Sequence, residues 1–139
     1  MFKIHPYVKN IKRSLLKAPK AYLYDWARQA DEGNRFENFV AVQLLTRLRL
    51  WQDATAENFG LFYARTRQKE EIDFVVTRKD RPWLLLEAKL SDGPLDASHY
   101  RLQAMLGGVP LVCVCRQENI ARLAGKNVFH LSASRLLNM

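Results

Sequence analysis

The chain has 139 residues, of which 48% are hydrophobic, and it carries a formal net charge of +8 at pH 7. This length suits one domain with a core of its own, and the composition is that of a globular protein rather than a disordered one. The positive charge favours polyanionic partners, either nucleic acid or an anionic membrane surface. No apolar run approaches the roughly 20 residues of a membrane span, and no signal-peptide pattern opens the chain. We therefore expect a cytoplasmic protein that does not enter a membrane.

The predicted elements alternate between helices and strands. Residues 1–20 hold six Lys or Arg and no acid, so they are treated as a basic N-terminal segment, with a short helix predicted over residues 6–17. The main domain is assigned to residues 21–139. Its elements are predicted in this order: a β-prone run over 21–26, a helix from Asp31-Glu32-Gly33-Asn34 to about Trp51, a strand over 61–65, a hairpin over 71–89, a helix over 96–106, strands over 109–115 and 127–131, and a helix capped by Ser132 that runs through Leu137. This order predicts an α/β domain with a mixed central sheet flanked by helices.

The hairpin carries acidic residues that buried strands usually exclude. Residues 78–82 between its strands are polar and include Pro82, so they are predicted to form the turn. A hairpin centred on residue 80 places Asp73 directly opposite Glu87, with Lys89 on the same face. Two carboxylates this close repel each other unless a cation lies between them, and oxygen ligands of this kind suit Mg²⁺ or Mn²⁺. The alternative is a surface hairpin with a cross-strand salt bridge.

A further acid, Glu37, falls within the apolar stripe of the long predicted helix. A buried carboxylate is costly without a partner. Either the helix packs beside the hairpin so that Glu37 joins Asp73 and Glu87, or Glu37 pairs with a cation such as Arg35.

The two cysteines, Cys113 and Cys115, occupy alternate positions of an apolar strand. They should point the same way and should not readily bond each other. With three scattered histidines and no second cysteine pair, no zinc site is expected. We interpret them as reduced core cysteines of a cytoplasmic protein.

An acid on the first helix is followed by Asp-x(13)-Glu-x-Lys across a hairpin, then by a helix and a strand. This pattern resembles the core of the PD-(D/E)XK nuclease superfamily. Longer stretches resemble the C-terminal domain of a family of prokaryotic AAA ATPases, which belongs to the same superfamily; among them are Phe36-Glu37-Asn38-Phe39-Val40, Glu71-Ile72-Asp73-Phe74-Val75 and Glu87-Ala88-Lys89-Leu90-Ser91. The likeness extends from about residue 6 to residue 137. The sequence has no Gly-x(4)-Gly-Lys-Ser/Thr motif, so the ATPase half is absent from it.

The resemblance implies a restriction-endonuclease-like fold and metal-dependent hydrolysis of DNA phosphodiester bonds. In such proteins the residues that match Asp73 and Glu87 bind Mg²⁺ or Mn²⁺, and the residue that matches Lys89 assists the attacking water. Glu37 takes the place of the helix acid, and Gln103 is a candidate accessory polar residue.

The implied partners are DNA and an ATPase domain or subunit, and a homo-oligomer is compatible with the sequence. The candidate contacts to backbone phosphates are all basic: Arg65, Arg67, Lys69, Lys12 and Arg13. The alternative function is a non-catalytic nuclease-fold module of an AAA ATPase that binds DNA or another protein.

Overall fold

The computed structural model describes residues 1–7 and 18–138. Within them the strands are β1 (Phe2–Pro6), β2 (Lys20–Tyr22), β3 (Phe59–Arg65), β4 (Glu71–Arg78), β5 (Arg81–Lys89), β6 (Leu111–Cys115), β7 (Ala121–Leu123) and β8 (Val128–Ser132). The helices are α1 (Glu32–Thr55), α2 (Ala97–Met105) and α3 (Ala133–Leu137), and a 3-10 turn spans Trp26–Arg28. The helix predicted over residues 6–17 falls on residues 8–17, outside the described part, apart from Pro6 and Tyr7. No helix in the described part is long and apolar enough to cross a bilayer.

The described strands form one mixed sheet with the order β2-β1-β3-β4-β5-β6-β8-β7. Pairing is parallel between β1 and β3, between β5 and β6 and between β6 and β8, and it is antiparallel elsewhere. The predicted α/β class with a mixed sheet flanked by helices is therefore confirmed. Strand β1 was not predicted, because its two buried positions, Ile4 and Pro6, stand among basic and polar residues.

The sheet is covered on both faces, which explains the apolar character of its central strands. On one face, Leu44 and Leu48 of α1 belong to an apolar cluster with Phe74 and Leu86. On the other face, Leu102 of α2 belongs to a second apolar cluster. The buried sheet residues of that cluster include Val75, Leu85, Leu111 and Val128. Strand β4 is buried without interruption from Ile72 to Thr77. A charged side chain at Asp73 therefore stands within the core of the domain.

The turn of the β4–β5 hairpin is shorter than predicted. It consists of Lys79 and Asp80, whose φ angles of +54° and +65° are typical of a two-residue type I′ turn. Arg81 and Pro82 belong to β5, so the predicted turn over residues 78–82 was wrong in its extent. Pro82 is tolerated in the strand because the register shifts there, at an irregularity that leaves Trp83 without a partner on β4.

The predicted register of the hairpin is nevertheless correct. Phe74 lies opposite Leu86 and Val75 opposite Leu85. Continuing that register by one residue brings Asp73 level with Glu87.

Helix α1 is tied to the chain that precedes it by Asn38, which is almost completely buried. Its side-chain amide donates to the Leu23 carbonyl oxygen at 2.8 Å, and its Oδ1 accepts from the Leu23 N–H at 3.1 Å. These two bonds satisfy the backbone of Leu23 as a strand partner would. Asn38 directly follows Glu37, so the same bonds anchor α1 beside that residue.

Candidate active site

Asp73 lies where the regular ladder around β4 breaks. On the β3 side, Phe62 pairs with Val75 but Ala64 pairs with Ile72, so β4 has one residue more than β3 over this stretch. On the β5 side, the Ala88 N–H donates to Asp73 Oδ2 at 2.9 Å. The carboxyl group thus stands in for a backbone acceptor, and a bulge of this kind is a common way to aim a side chain at a site.

Two further carboxyl groups lie near Asp73. The charge of Glu87 of β5 raises the pKa of Asp73, and the charge of Asp73 raises the pKa of Glu37 of α1. Asp73 and Glu87 are each only 8% exposed. For Glu37, Asp73 is the neighbouring carboxyl group that raises its pKa, and Lys20 is a cation that lowers it. Arg35 donates instead to the Gln29 carbonyl oxygen at 3.4 Å.

Each of the three carboxyl groups is held through one oxygen by a donor. The Tyr22 hydroxyl donates to Glu37 Oε2 at 2.8 Å, and the His99 imidazole lies 3.0 Å from Glu87 Oε2 through Nε2. The Ala88 N–H holds Asp73 in the same manner. One oxygen of each group is therefore not used by these donors.

Burial is the main cause of the raised pKa values of Asp73 and Glu37. It raises the pKa of Asp73 to about 7, and the charge of Glu87 adds to the effect. The pKa of Glu37 is also raised to about 7, first by burial and then by the charge of Asp73, while Lys20 partly offsets the shift. Without a cation, Asp73 and Glu37 should keep protons up to neutral pH.

His99 of α2 supports Glu87. Its Nδ1 accepts the Asp96 N–H at 3.1 Å, so in the neutral ring Nε2 carries the proton and donates to Glu87. The hydrogen bond to Glu87 raises the pKa of His99, and the positive charge of Lys89 opposes that shift. Lys89 therefore stands close to the Glu87–His99 pair, as the shared strand face predicts.

Gln103, the candidate accessory residue, donates to the backbone carbonyls of Val109 and Asn127 at 3.0 and 3.1 Å. It ties α2 to two loops, whereas His99, one helical turn earlier, reaches the carboxyl cluster. Sequence reasoning missed His99 and Tyr22 as supports of the site. The position of His99 four residues before Gln103 on the same helix face was the available signal; Tyr22 gave none beyond its aromatic, strand-forming character.

Three of the predicted phosphate contacts directly precede β4, the strand that carries Asp73. Arg65 ends β3, and Arg67 and Lys69 follow in the exposed turn to β4. Arg65 and Arg67 line a groove together with Tyr7 and Arg101. Lys12 and Arg13 fall outside the described residues.

A family model described as a domain of unknown function, DUF4143, matches residues 32–134, which is more than half of the chain. The chain belongs to the DUF4143 family. The match takes in every member of the carboxyl cluster and His99, so the site lies within the DUF4143 domain; the donor Tyr22 precedes the matched region.

One solved structure similar to this DUF4143 chain is the refined half-complex from a tetradecameric assembly of Thermococcus gammatolerans McrB AAA+ hexamers with bound McrC. The TM-score is 0.46 and the identity 16%, over 73% of this chain and 27% of that chain. A comparison with curated proteins finds no match.

Proposed function

We propose that this chain is a divalent-cation-dependent nuclease that hydrolyses phosphodiester bonds of DNA. The observation that carries the proposal is the buried acids Asp73 and Glu87 on neighbouring strands, with the half-buried Glu37 near Asp73, each with one oxygen held by a donor. Three carboxylates in this setting repel one another, and a cation removes the repulsion. A donor set made only of carboxyl oxygens fits a hard cation such as Mg²⁺ or Mn²⁺. The resemblance to PD-(D/E)XK nucleases supports the same function.

In this proposal Asp73 and Glu87 hold the cation, and Glu37 adds a further oxygen. A cation bound there polarises a phosphate group and lowers the pKa of a coordinated water. His99 keeps Glu87 oriented through its Nε2–H, and Ala88 does the same for Asp73. Lys89 stabilises negative charge that develops on the phosphate oxygens, or orients the water that attacks.

The purified chain is expected to nick or cleave DNA when Mg²⁺ or Mn²⁺ is present and to be inactive in EDTA. The measurement is a gel assay on linear, branched and single-stranded DNA, since the sequence does not specify the substrate form. The Asp73→Asn protein, purified in the same way, is the matched control, because Asn retains an acceptor for the Ala88 N–H but lacks the charge. It should be inactive.

Cleavage that persists at the wild-type rate in Asp73→Asn would identify a contaminating nuclease. A folded wild-type protein that binds no Mn²⁺ and cuts none of the three substrates would contradict the proposal. That outcome would favour the non-catalytic DNA-binding or protein-interaction module.

DNA binding should weaken steeply with salt, and the basic turn after β3 should account for part of that dependence. Each phosphate contact contributes about −0.9 to the slope of log K against log salt on duplex DNA. Replacing Arg65 and Arg67 together with alanine is therefore expected to reduce the slope by up to about 1.8. The measurement is DNA affinity by fluorescence anisotropy at a series of salt concentrations, with Ca²⁺ present as the divalent cation.

The double variant Arg49→Ala, Lys126→Ala is the control for this prediction, because both residues are exposed and the variant also loses two positive charges. Its slope should equal that of the wild type. If both variants flatten the slope equally, general charge and not the turn explains the binding. Point substitutions are preferable to removal of residues 1–20, because Phe2–Pro6 form a strand inside the sheet.

A further inference from the structure

The face of the sheet that carries Glu87 continues as a row of metal-binding residue types. Glu87 of β5 pairs with Cys113 of β6, and Cys113 pairs with His130 of β8. Cys115, two residues further along β6, points to the same side. The scattered histidines of the sequence predicted no zinc site, but the parallel β6–β8 register brings His130 beside the cysteines.

The donor atoms of these three residues form a compact group. The two sulfur atoms and a ring nitrogen of His130 all lie within 4.8 Å of one another. Two Zn–S bonds of about 2.3 Å each span at most about 4.6 Å, so small side-chain rotations suffice to bring the donors onto one ion. Cys113 and Cys115 are 0% exposed and His130 is 1% exposed. Neither cysteine forms a disulfide.

His130 has the outer support that metal-binding histidines usually have. Its Nδ1 lies 3.0 Å from Asp92 Oδ1. In the tautomer that binds a metal through Nε2, Nδ1 carries the proton and faces this carboxylate; in the other tautomer, Nδ1 accepts from Arg122 Nη2. A carboxylate behind the imidazole fixes the tautomer and raises the basicity of the ring. Arg122 binds both oxygens of Asp92 at 2.9 Å and lies 3.2 Å from the same Nδ1 through Nη2. The guanidinium and the carboxylate together add no net charge.

We propose that Cys113, Cys115 and His130 form a binding site for one thiophilic d¹⁰ cation, Zn²⁺ or Cu⁺. Soft thiolate donors with one imidazole select these ions over Mg²⁺ or Mn²⁺. Two thiolates balance the charge of Zn²⁺, so the filled site is neutral and tolerates burial. The site is distinct from the carboxyl cluster, does not depend on the proposed nuclease activity and adjoins it through the Glu87–Cys113 pair.

The test uses Co²⁺ as a spectroscopic probe of the purified full chain. Co²⁺ bound by thiolates gives an intense near-ultraviolet charge-transfer band and tetrahedral visible bands, whereas Co²⁺ on carboxylates gives neither. We expect about one thiolate-bound Co²⁺ per chain, with the band abolished by added Zn²⁺. A competition with a chromogenic Cu⁺ chelator distinguishes the two candidate ions.

Three variants define the site. The double variant Cys113→Ser, Cys115→Ser should lose the band, and Asp92→Asn should weaken Co²⁺ binding by roughly 10-fold or more while keeping all three ligands. Asp73→Asn, which alters only the carboxyl cluster, should keep the band. If the double variant does not fold, Asp92→Asn decides alone, because Asp92 lies near the surface and carries no ligand atom.

The proposal is overturned if the folded wild type shows no thiolate band and binds neither Zn²⁺ nor Cu⁺. It is also overturned if the band persists in the double serine variant, or if Asp92→Asn leaves the Co²⁺ affinity unchanged. A wild-type protein that shows the thiolate band but cleaves no DNA in Mg²⁺ or Mn²⁺ would contradict the nuclease proposal alone.

Discussion

Replacing Lys89 with alanine is expected to slow DNA cleavage by about 10²–10³-fold without weakening Mn²⁺ binding. An ammonium group is not a metal ligand, and its removal takes a positive charge away from the cation, so affinity for Mn²⁺ should stay the same or rise. The loss should appear in the rate of the chemical step, because Lys89 is proposed to act on the water or on the phosphate charge. Single-turnover cleavage and Mn²⁺ titration by electron paramagnetic resonance, performed on the same samples, separate the two effects.

Two further substitutions make this prediction specific. Lys89→Met retains the apolar stem of a half-buried side chain, so it should behave like Lys89→Ala if the charge is what matters. Lys126→Met removes an equal charge from an exposed loop and should cleave at the wild-type rate. If Lys89→Ala loses Mn²⁺ binding together with activity, Lys89 has a structural role and the assignment to the chemical step is wrong.

Without divalent cations, the protein is expected to become less stable as the pH rises from about 4 to about 7. The pKa values of Asp73 and Glu37 are raised to about 7 in the folded state, whereas those of an unfolded chain lie near 4. Between these values the folded state holds more protons than the unfolded state, so raising the pH destabilises the fold. Below about pH 4 these carboxyl groups are protonated in both the folded and the unfolded state, so they no longer destabilise the fold. Ionisation of the cluster should cost at least about 2 kcal/mol of unfolding free energy at pH 8.

The Asp73→Asn substitution should remove most of this pH dependence. In EDTA at pH 8 the variant is expected to melt several degrees above the wild type, since about 1 kcal/mol corresponds to a few degrees in a domain of this size. At pH 4 the variant and the wild type should have the same melting temperature. With saturating Mg²⁺ the order at pH 8 should reverse, because only the wild type gains stability from binding the ion.

Thermal melting between pH 4 and pH 8 measures this effect, with Asp80→Asn as the control. Asp80 is exposed in the hairpin turn at a positive φ that Asn also tolerates, so its replacement should leave the pH dependence unchanged. A metal-free Asp73→Asn protein that is less stable than the wild type at pH 8 would show that Asp73 is a structural acceptor and not a strained ligand.

The register of the hairpin shows how a correct prediction can depend on a compensation that is invisible in the sequence. A turn of two residues at Lys79 and Asp80, taken alone, would place Asp73 opposite Leu86 and not opposite Glu87. The irregularity at Trp83 adds one residue to β5 and restores the predicted pairing. The predicted five-residue turn and the observed two-residue turn with a bulge therefore give the same register. The carboxyl pair could be predicted from strand periodicity, whereas the turn that produces it could not.

The features that sequence reasoning missed all depend on pairings between distant residues. Glu37 was placed in the apolar stripe correctly, but only the packing of α1 could decide between a carboxyl partner and a cation. His130 stands 17 positions after Cys113, and nothing local indicates that β8 pairs in parallel with β6. Ser132 does precede the last helix, but its hydroxyl donates to Gln117 and accepts from the Ile120 N–H instead of capping that helix. In each case a tertiary contact outweighed a local preference.

The two ends of the strand order bear on how this domain can meet other chains. Both outermost strands, β2 and β7, are only three residues long, and each carries a basic residue in an ion pair, Lys20 with Glu71 and Arg122 with Asp92. Short, charged edge strands offer little free backbone for a strand from another molecule to join. The described sheet is therefore closed to edge-to-edge aggregation in spite of its eight strands. To a second copy or a different protein, the described part of the chain offers helices, loops and side-chain surfaces, and specificity there would come from side chains rather than from backbone hydrogen bonding.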